Sequence, residues 1–235
     1  MKKKMNMKPI IIVLIVVGFL FLLKFQFPHY KVMSNGMSPN FNKGDIILIN
    51  KFINGGKIKN NDVCVIENKE EYLTRIIGLP DDKIQIINGN LFVNDVEQTA
   101  IVTSFIYKVV LGNHPPLAEY DLMLLLQPIN QYKEYTASLT QQQAKEISEY
   151  EFVKSITKVI HPKGYYYSFS DKPIFNNKTS FNWSRDNFGP ITIPKKSYFV
   201  IGDNRGQAID SRYFGFVIEE QVIGKMMMRL YSPNE

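Results

Sequence analysis

The chain has 235 residues, of which 45% are hydrophobic and 21% charged; that length sustains one or two packed domains, and that composition excludes a disordered polymer. The net charge of +6 does not signal nucleic acid, because no basic stripe interleaves with aromatics and several lysines crowd the N-terminus. The one cysteine, Cys64, excludes an intramolecular disulfide, and its neighbours Val63, Val65 and Ile66 mark it as a buried strand residue rather than a reactive thiol or metal ligand.

In chain order, residues 1–8 form a basic tail carrying Lys2, Lys3, Lys4 and Lys8, and residues 9–27 read as a transmembrane anchor. The uncharged run 10–23 is short for a span and matches a cleavable signal core, yet no small residues offer a cut at Lys24-Phe25-Gln26-Phe27-Pro28. With Lys24 snorkelling and Phe25, Phe27 and Tyr30 in an aromatic belt, the segment reaches a workable length. The lysines then stay cytoplasmic, and the bulk of the chain lies outside a cell (inner) membrane crossed once.

Strands are expected at Asp45 to Asn50 and Asp62 to Ile66, and at Lys83 to Ile87 and Asn90 to Val93, the last two joined by Asn88-Gly89, a hairpin turn whose central residues both need positive φ. Further strands are expected at Tyr198 to Ile201 and at Val222 to Tyr231. A single soluble helix is predicted after Thr140, where Gln143 three residues on completes a capping box and Ala144 and Ile147 share a face. Residues 99–182 differ in texture and read as an inserted α+β subdomain, interrupting a mostly β core formed by 28–98 and 183–235. His114 and His161 lack a partner at metal-ligand spacing and read as ordinary loop histidines, so no metal site and no cofactor is expected.

Three blocks carry a resemblance. Ser34 to Lys51 holds Met37-Ser38-Pro39 and Lys43-Gly44-Asp45; Tyr72 to Pro80 holds Thr74-Arg75; and Gly202-Asp203-Asn204-Arg205 runs on through Asp210-Ser211-Arg212-Tyr213-Phe214-Gly215. A fourth stretch, Trp183 to Ile191 followed by Ile193-Pro194-Lys195-Lys196, is similar to longer members of the same group. In this order the blocks resemble the type I signal peptidases, membrane-anchored serine endopeptidases that trim secretory signal peptides. The resemblance implies a signal-peptidase-like β-barrel or sheet core, a serine nucleophile, and a neutral lysine as general base. Soluble self-cleaving repressors share a related Ser/Lys core, but the anchor and the three blocks point away from them.

The reagents themselves are missing. The nucleophile position, directly before Met-x-Pro, holds Gly36; the base position, directly before the arginine of the second block, holds Thr74; the serine that orients the base falls on Ala208. Threonine cannot take a proton from a hydroxyl at neutral pH, and Arg75 is effectively never deprotonated. As the resemblance implies, Ser34 and the backbone N–H of Gly36 stand at the oxyanion positions, while Arg75, Asp203, Asp210 and Arg212 brace the loop near the site. Asp81 occupies what is usually a glycine in the Gly-Leu-Pro-Gly-Asp turn, which predicts a relaxed backbone there. Ser34 and Ser38 are the substitute nucleophiles on offer, but Lys43 and Lys51 sit in segments expected to be solvated.

Three functional readings follow: a catalytically inactive signal peptidase homologue that keeps a groove for signal peptides or preproteins, an active peptidase using unorthodox residues, and an anchored structural or assembly module. Membrane lipid, preproteins or the secretion machinery are the expected partners.

Overall fold

A computed structural model of the chain describes residues 10–18, 28–51, 58–113, 124–130, 133–163, 175 and 181–233. Residues 10–18 are helical with exposed side chains, and no described helix is long and apolar enough to cross a membrane. The remainder of the expected anchor, residues 9 and 19–27, lies outside the described residues.

The described strands are β1 (His29–Lys31), β2 (Ile46–Asn50), β3 (Val63–Asn68), β4 (Glu70–Gly78), β5 (Lys83–Ile87), β6 (Asn90–Val93), β7 (Val96–Glu97), β8 (Ser104–Leu111), β9 (Gln127–Pro128), β10 (Glu134–Thr140), β11 (Val153–Lys158), β12 (Phe188–Thr192), β13 (Ser197–Ile201), β14 (Val217–Ile218) and β15 (Val222–Tyr231). They form one seven-stranded sheet in the order β1-β2-β15-β3-β4-β13-β14 and two four-stranded sheets, β12-β5-β6-β7 and β11-β8-β10-β9. Among the described residues the large sheet does not close into a barrel: β1 and β14 are its open ends. The barrel alternative is thus corrected in favour of open sheets.

Side-chain periodicity explains these elements. In β2 Ile47 and Ile49 point inward while their neighbours are only half-buried, and β5 and β6 likewise bury Ile84, Ile86, Leu91 and Val93. Asn88 and Gly89 take φ of 51° and 81°, the left-handed pair that a two-residue hairpin requires. Strand β4 was not legible in advance; it opens with Glu70 and Glu71, and its extended form comes from pairing with β3, Cys64 opposite Thr74. Cys64 is fully buried, and burial together with the nearby Asp62 pushes its thiol up to about 12, which removes it as a nucleophile near neutral pH.

Helix Gln141–Ser148 starts as its sequence dictates: Thr140 Oγ1 accepts from the Gln143 amide at 3.1 Å and Gln143 Oε1 from the Thr140 amide at 2.9 Å. Ala144 and Ile147 pack on the β8-β10-β11 sheet with Val109 and Leu139. A parallel bridge from Ser104 to Asn204 ties the start of this sheet to the loop after β13. A second short helix, Ser211–Phe214, follows that loop, capped by the Asp210 side chain accepting from the Arg212 amide.

Asp81 keeps φ of 74°, so the expected relaxation does not occur. The turn retains the left-handed geometry that glycine would supply, at the strain an L side chain adds. It is held by the Asp81 amide donating to the Ile193 carbonyl at 3.0 Å and by an exposed pairing of its carboxylate with Lys195. His161 is also not an ordinary loop histidine. It is buried, its Nδ1 lies 2.6 Å from Asp186 Oδ2, and its backbone amide donates to the same oxygen at 2.9 Å. His114 lies outside the described residues.

Candidate active site

The segments that meet here are the turn after β1, the first half of β4, and the loop after β13. Buried Met37 anchors the turn in the core formed with Phe41, Ile47 and Val65. Strand β4 presents Thr74, and the third segment is fixed to the turn by backbone bonding: the Asn204 amide donates to the Gly36 carbonyl at 3.0 Å and Asn204 Nδ2 to the Asn35 carbonyl at 3.1 Å. Gly202 must be glycine, since a Cβ there would stand 2.3 Å from the Ala208 Cβ and 2.4 Å from the Gly36 oxygen. In the sequence Gly202 and Asn204 stand only as motif letters; their function as clamps rests on contacts with residues far away along the same chain.

Two arginine–carboxylate forks stiffen the loop. Arg75 donates through Nε and Nη2 to Asp203 at 2.9 and 2.6 Å, with Asn40 Nδ2 adding 2.8 Å to the same carboxylate. Arg212 makes an equivalent fork to Asp210, 2.8 Å on each arm, and its Nη1 donates to the Arg205 carbonyl at 3.0 Å. Burial opposes the charge on Arg212, and the Asp210 carboxylate outweighs it, holding the guanidinium above its ordinary value. Asp210 also accepts from the Gly202 amide at 3.1 Å. The four residues expected near the site are therefore drawn together in two pairs.

Gly36, Thr74 and Ala208 all line one cavity of about 450 Å³, with Ser34, Lys43 and Tyr72 also on its wall. A Cβ on Gly36 would meet only ordinary contacts, 3.6 Å to Ser34 Oγ and 3.7 Å to Ala208. Thr74 is 2% exposed, and its Oγ1 has no hydrogen-bond partner among the described residues. A buried position of this kind suits an amine whose charge must be suppressed; a threonine hydroxyl there finds no proton acceptor and takes no proton. The Gly36 amide points at Ser34 Oγ across 3.5 Å, so that amide is turned toward the hydroxyl, whose own proton stays free to donate outward. Ser38 is engaged elsewhere, donating to Asn42 Oδ1 at 2.7 Å, and Lys43 is exposed.

One further property of the cavity concerns backbone. Strand β4 pairs with β3 along Glu70 to Arg75, but with β13 only from Arg75 to Gly78. On its β13 side the stretch 70–74 has no strand partner among the described residues, and four of those residues, Glu70, Tyr72, Leu73 and Thr74, line the cavity.

Residues 4–231 match the family described as signal peptidase, peptidase S26. The chain belongs to that family. Signal peptidase I of Buchnera aphidicola subsp. Baizongia pistaciae is 29% identical over 93% of this chain and 73% of its own length, and signal peptidase IB of Staphylococcus aureus is 26% identical over 95% and 85%. Among solved structures, a signal peptidase I from Enterococcus faecalis V583 aligns with 73% of this chain and 97% of its own at 20% identity, with a TM-score of 0.33. The cavity lined by Gly36, Thr74 and Ala208 thus lies within a member of the signal peptidase family.

Proposed function

We propose that this chain is a signal peptidase homologue that binds an extended preprotein segment without cutting it, and that residues 9–27 anchor it in a membrane. The observation that carries the reading is the convergence of Gly36, Thr74 and Ala208 on one cavity whose wall supplies neither a side-chain nucleophile at position 36 nor a base at 74. The unpaired side of β4 supports peptide binding, because an extended segment entering the cavity would add a strand along 70–74, drawing affinity from main-chain hydrogen bonds. The anchor is supported by the row of exposed apolar side chains from Ile10 to Val17, which water alone would not favour.

Arg75, Asp203, Asp210 and Arg212 act in this reading as braces that keep the turn at Gly36 beside the loop at Ala208. The Ser34 hydroxyl is the donor left to face a bound carbonyl. The rival reading, an active peptidase with unorthodox residues, draws on Ser34 and Lys43 sharing the cavity wall. Exposed Lys43, however, stands where nothing excludes water from its amine.

Binding is tested with a fluorescent preprotein segment carrying a small-x-small site, titrated against the detergent-solubilised full chain. Saturable binding that leaves the segment intact is the expected result, and it should be lost in Leu73→Pro, which removes an amide on the β4 edge. Absence of any saturable binding would favour the structural-module reading.

A further inference from the structure

Another cavity, about 610 Å³, is lined by Arg205 of the loop after β13, and the signal peptidase reading does not use it. Its walls come from the β5-β6 turn, the 97–105 segment and the start of helix Gln141–Ser148, and Arg205 lies within it. Arg205 is only 6% exposed, yet its Nε–H has no acceptor among the described residues. The carboxylates on the same loop are already committed, Asp203 to Arg75 and Asp210 to Arg212. A buried guanidinium with an idle donor is costly to keep and conspicuous for that reason.

We infer that this cavity is a binding site for an organic carboxylate, with Arg205 as the buried anchor and the first amides of helix Gln141–Ser148 as the second source of positive potential. The capping box uses the Gln143 amide, and Gln141 and Gln142, the first residues of that helix, line the same cavity at its positive end. Lys145 stands on the wall, and the Lys158 ammonium sits 3.6 Å over the ring of Phe105, itself part of the lining. Among the described residues Glu97 is the only acid in that lining. A planar guanidinium fork matches a carboxylate rather than a bulky polyanion, and Leu91, Ile101 and Phe105 offer apolar walls for the body that carries it. The volume falls within the range of sites for small molecules and short peptide ends. Burial and the charge of nearby Arg212 pull the Arg205 guanidinium down to about 10, so it remains a cation at neutral pH.

Such a carboxylate can come from a peptide C-terminus or from an acidic side chain, and the probes separate the two. Isothermal titration of the full chain in detergent would use N-acetyl-Leu-Phe as the free acid, the same dipeptide as its C-terminal amide, and N-acetyl-Leu-Glu amide. Saturable binding of at least one carboxylate-bearing probe, with no binding of N-acetyl-Leu-Phe amide, is expected. Free acid alone would assign the site to a chain terminus, and Leu-Glu amide binding as well would assign it to carboxylates generally. Affinity should fall at least tenfold in Arg205→Gln. Because Arg205→Gln alters a buried residue, Gln142→Glu provides a second variant on an exposed helix position, where the added negative charge should weaken binding at least tenfold while the fold is retained. Equal binding of acid and amide, no saturable binding of any probe, or undiminished affinity in a folded Gln142→Glu protein would overturn the inference. Binding here is independent of the Gly36 cavity, so a null result leaves the reading of that cavity untouched.

Discussion

A Cβ placed on Gly36 would lie 3.7 Å from the Cβ of Ala208, which is van der Waals contact without compression. The backbone of Gly36 is not in the left-handed region, so position 36 accepts a side chain with no strain of either kind. The glycine is therefore not demanded by the fold. Gly36→Ser should leave the thermal midpoint within about 2 °C of the parent, a shift corresponding to under roughly 1 kcal/mol in a chain of this size, as measured by circular dichroism. A larger drop would show that the turn has been rebuilt around the missing side chain.

Thr74 gives the opposite sign from most core substitutions. Its buried Oγ1 has no partner among the described residues, and a buried unsatisfied hydroxyl costs about 1–3 kcal/mol. Thr74→Val removes that atom while keeping the shape, so the protein should gain on the order of 1 kcal/mol by urea denaturation. Loss of stability would reveal a hydrogen bond that the hydroxyl makes on binding or through water.

The forks predict sharp losses. Asp203→Leu leaves Arg75 facing a void of charge at a side chain 11% exposed, and breaking one partner of a buried pair costs about 3–5 kcal/mol. Replacing both partners by apolar residues should cost clearly less than the single change, and a double-mutant cycle measures the difference.

Acid sensitivity has a defined source at Asp186. Burial works against its carboxylate, but the hydrogen bond from His161 and the charge of Arg185 prevail and hold the carboxyl below its usual range. A carboxyl depressed on folding contributes stability above its unfolded value, about pH 4, and that contribution is lost as pH falls through the lower folded value. The urea midpoint should therefore fall steeply below about pH 4, and Asp186→Asn should be less stable at pH 7 with a flatter acid limb. An unchanged acid limb would place the titration elsewhere.

The parts of this fold that local physics governs were legible in the residues. The Asn88-Gly89 turn, the Thr140–Gln143 capping box and the apolar run of β15 each specify themselves within a few positions. The strand at Glu70–Gly78 did not, because its charged start is made extended by a neighbour rather than by its own pattern. His161 looked unremarkable since Asp186, its hydrogen-bond partner, is 25 residues away. Gly36, Thr74 and Ala208, which only the motif resemblance linked, line one cavity. The clamp by Asn204 and the enclosed Arg205 were invisible, because both depend on which side of one loop each side chain leaves.

The most direct test of the account is a cleavage time course on a purified preprotein, run with the parent chain and with Gly36→Ser/Thr74→Lys/Ala208→Ser. Losing members of a catalytic unit costs roughly 10⁴ to 10⁶ in rate, and such losses are strongly non-additive, so each single change should restore nothing measurable. The account predicts no product above background from the parent and slow, site-specific product from the triple variant. Product from the parent at a small-x-small site, abolished by Ser34→Ala, would contradict it.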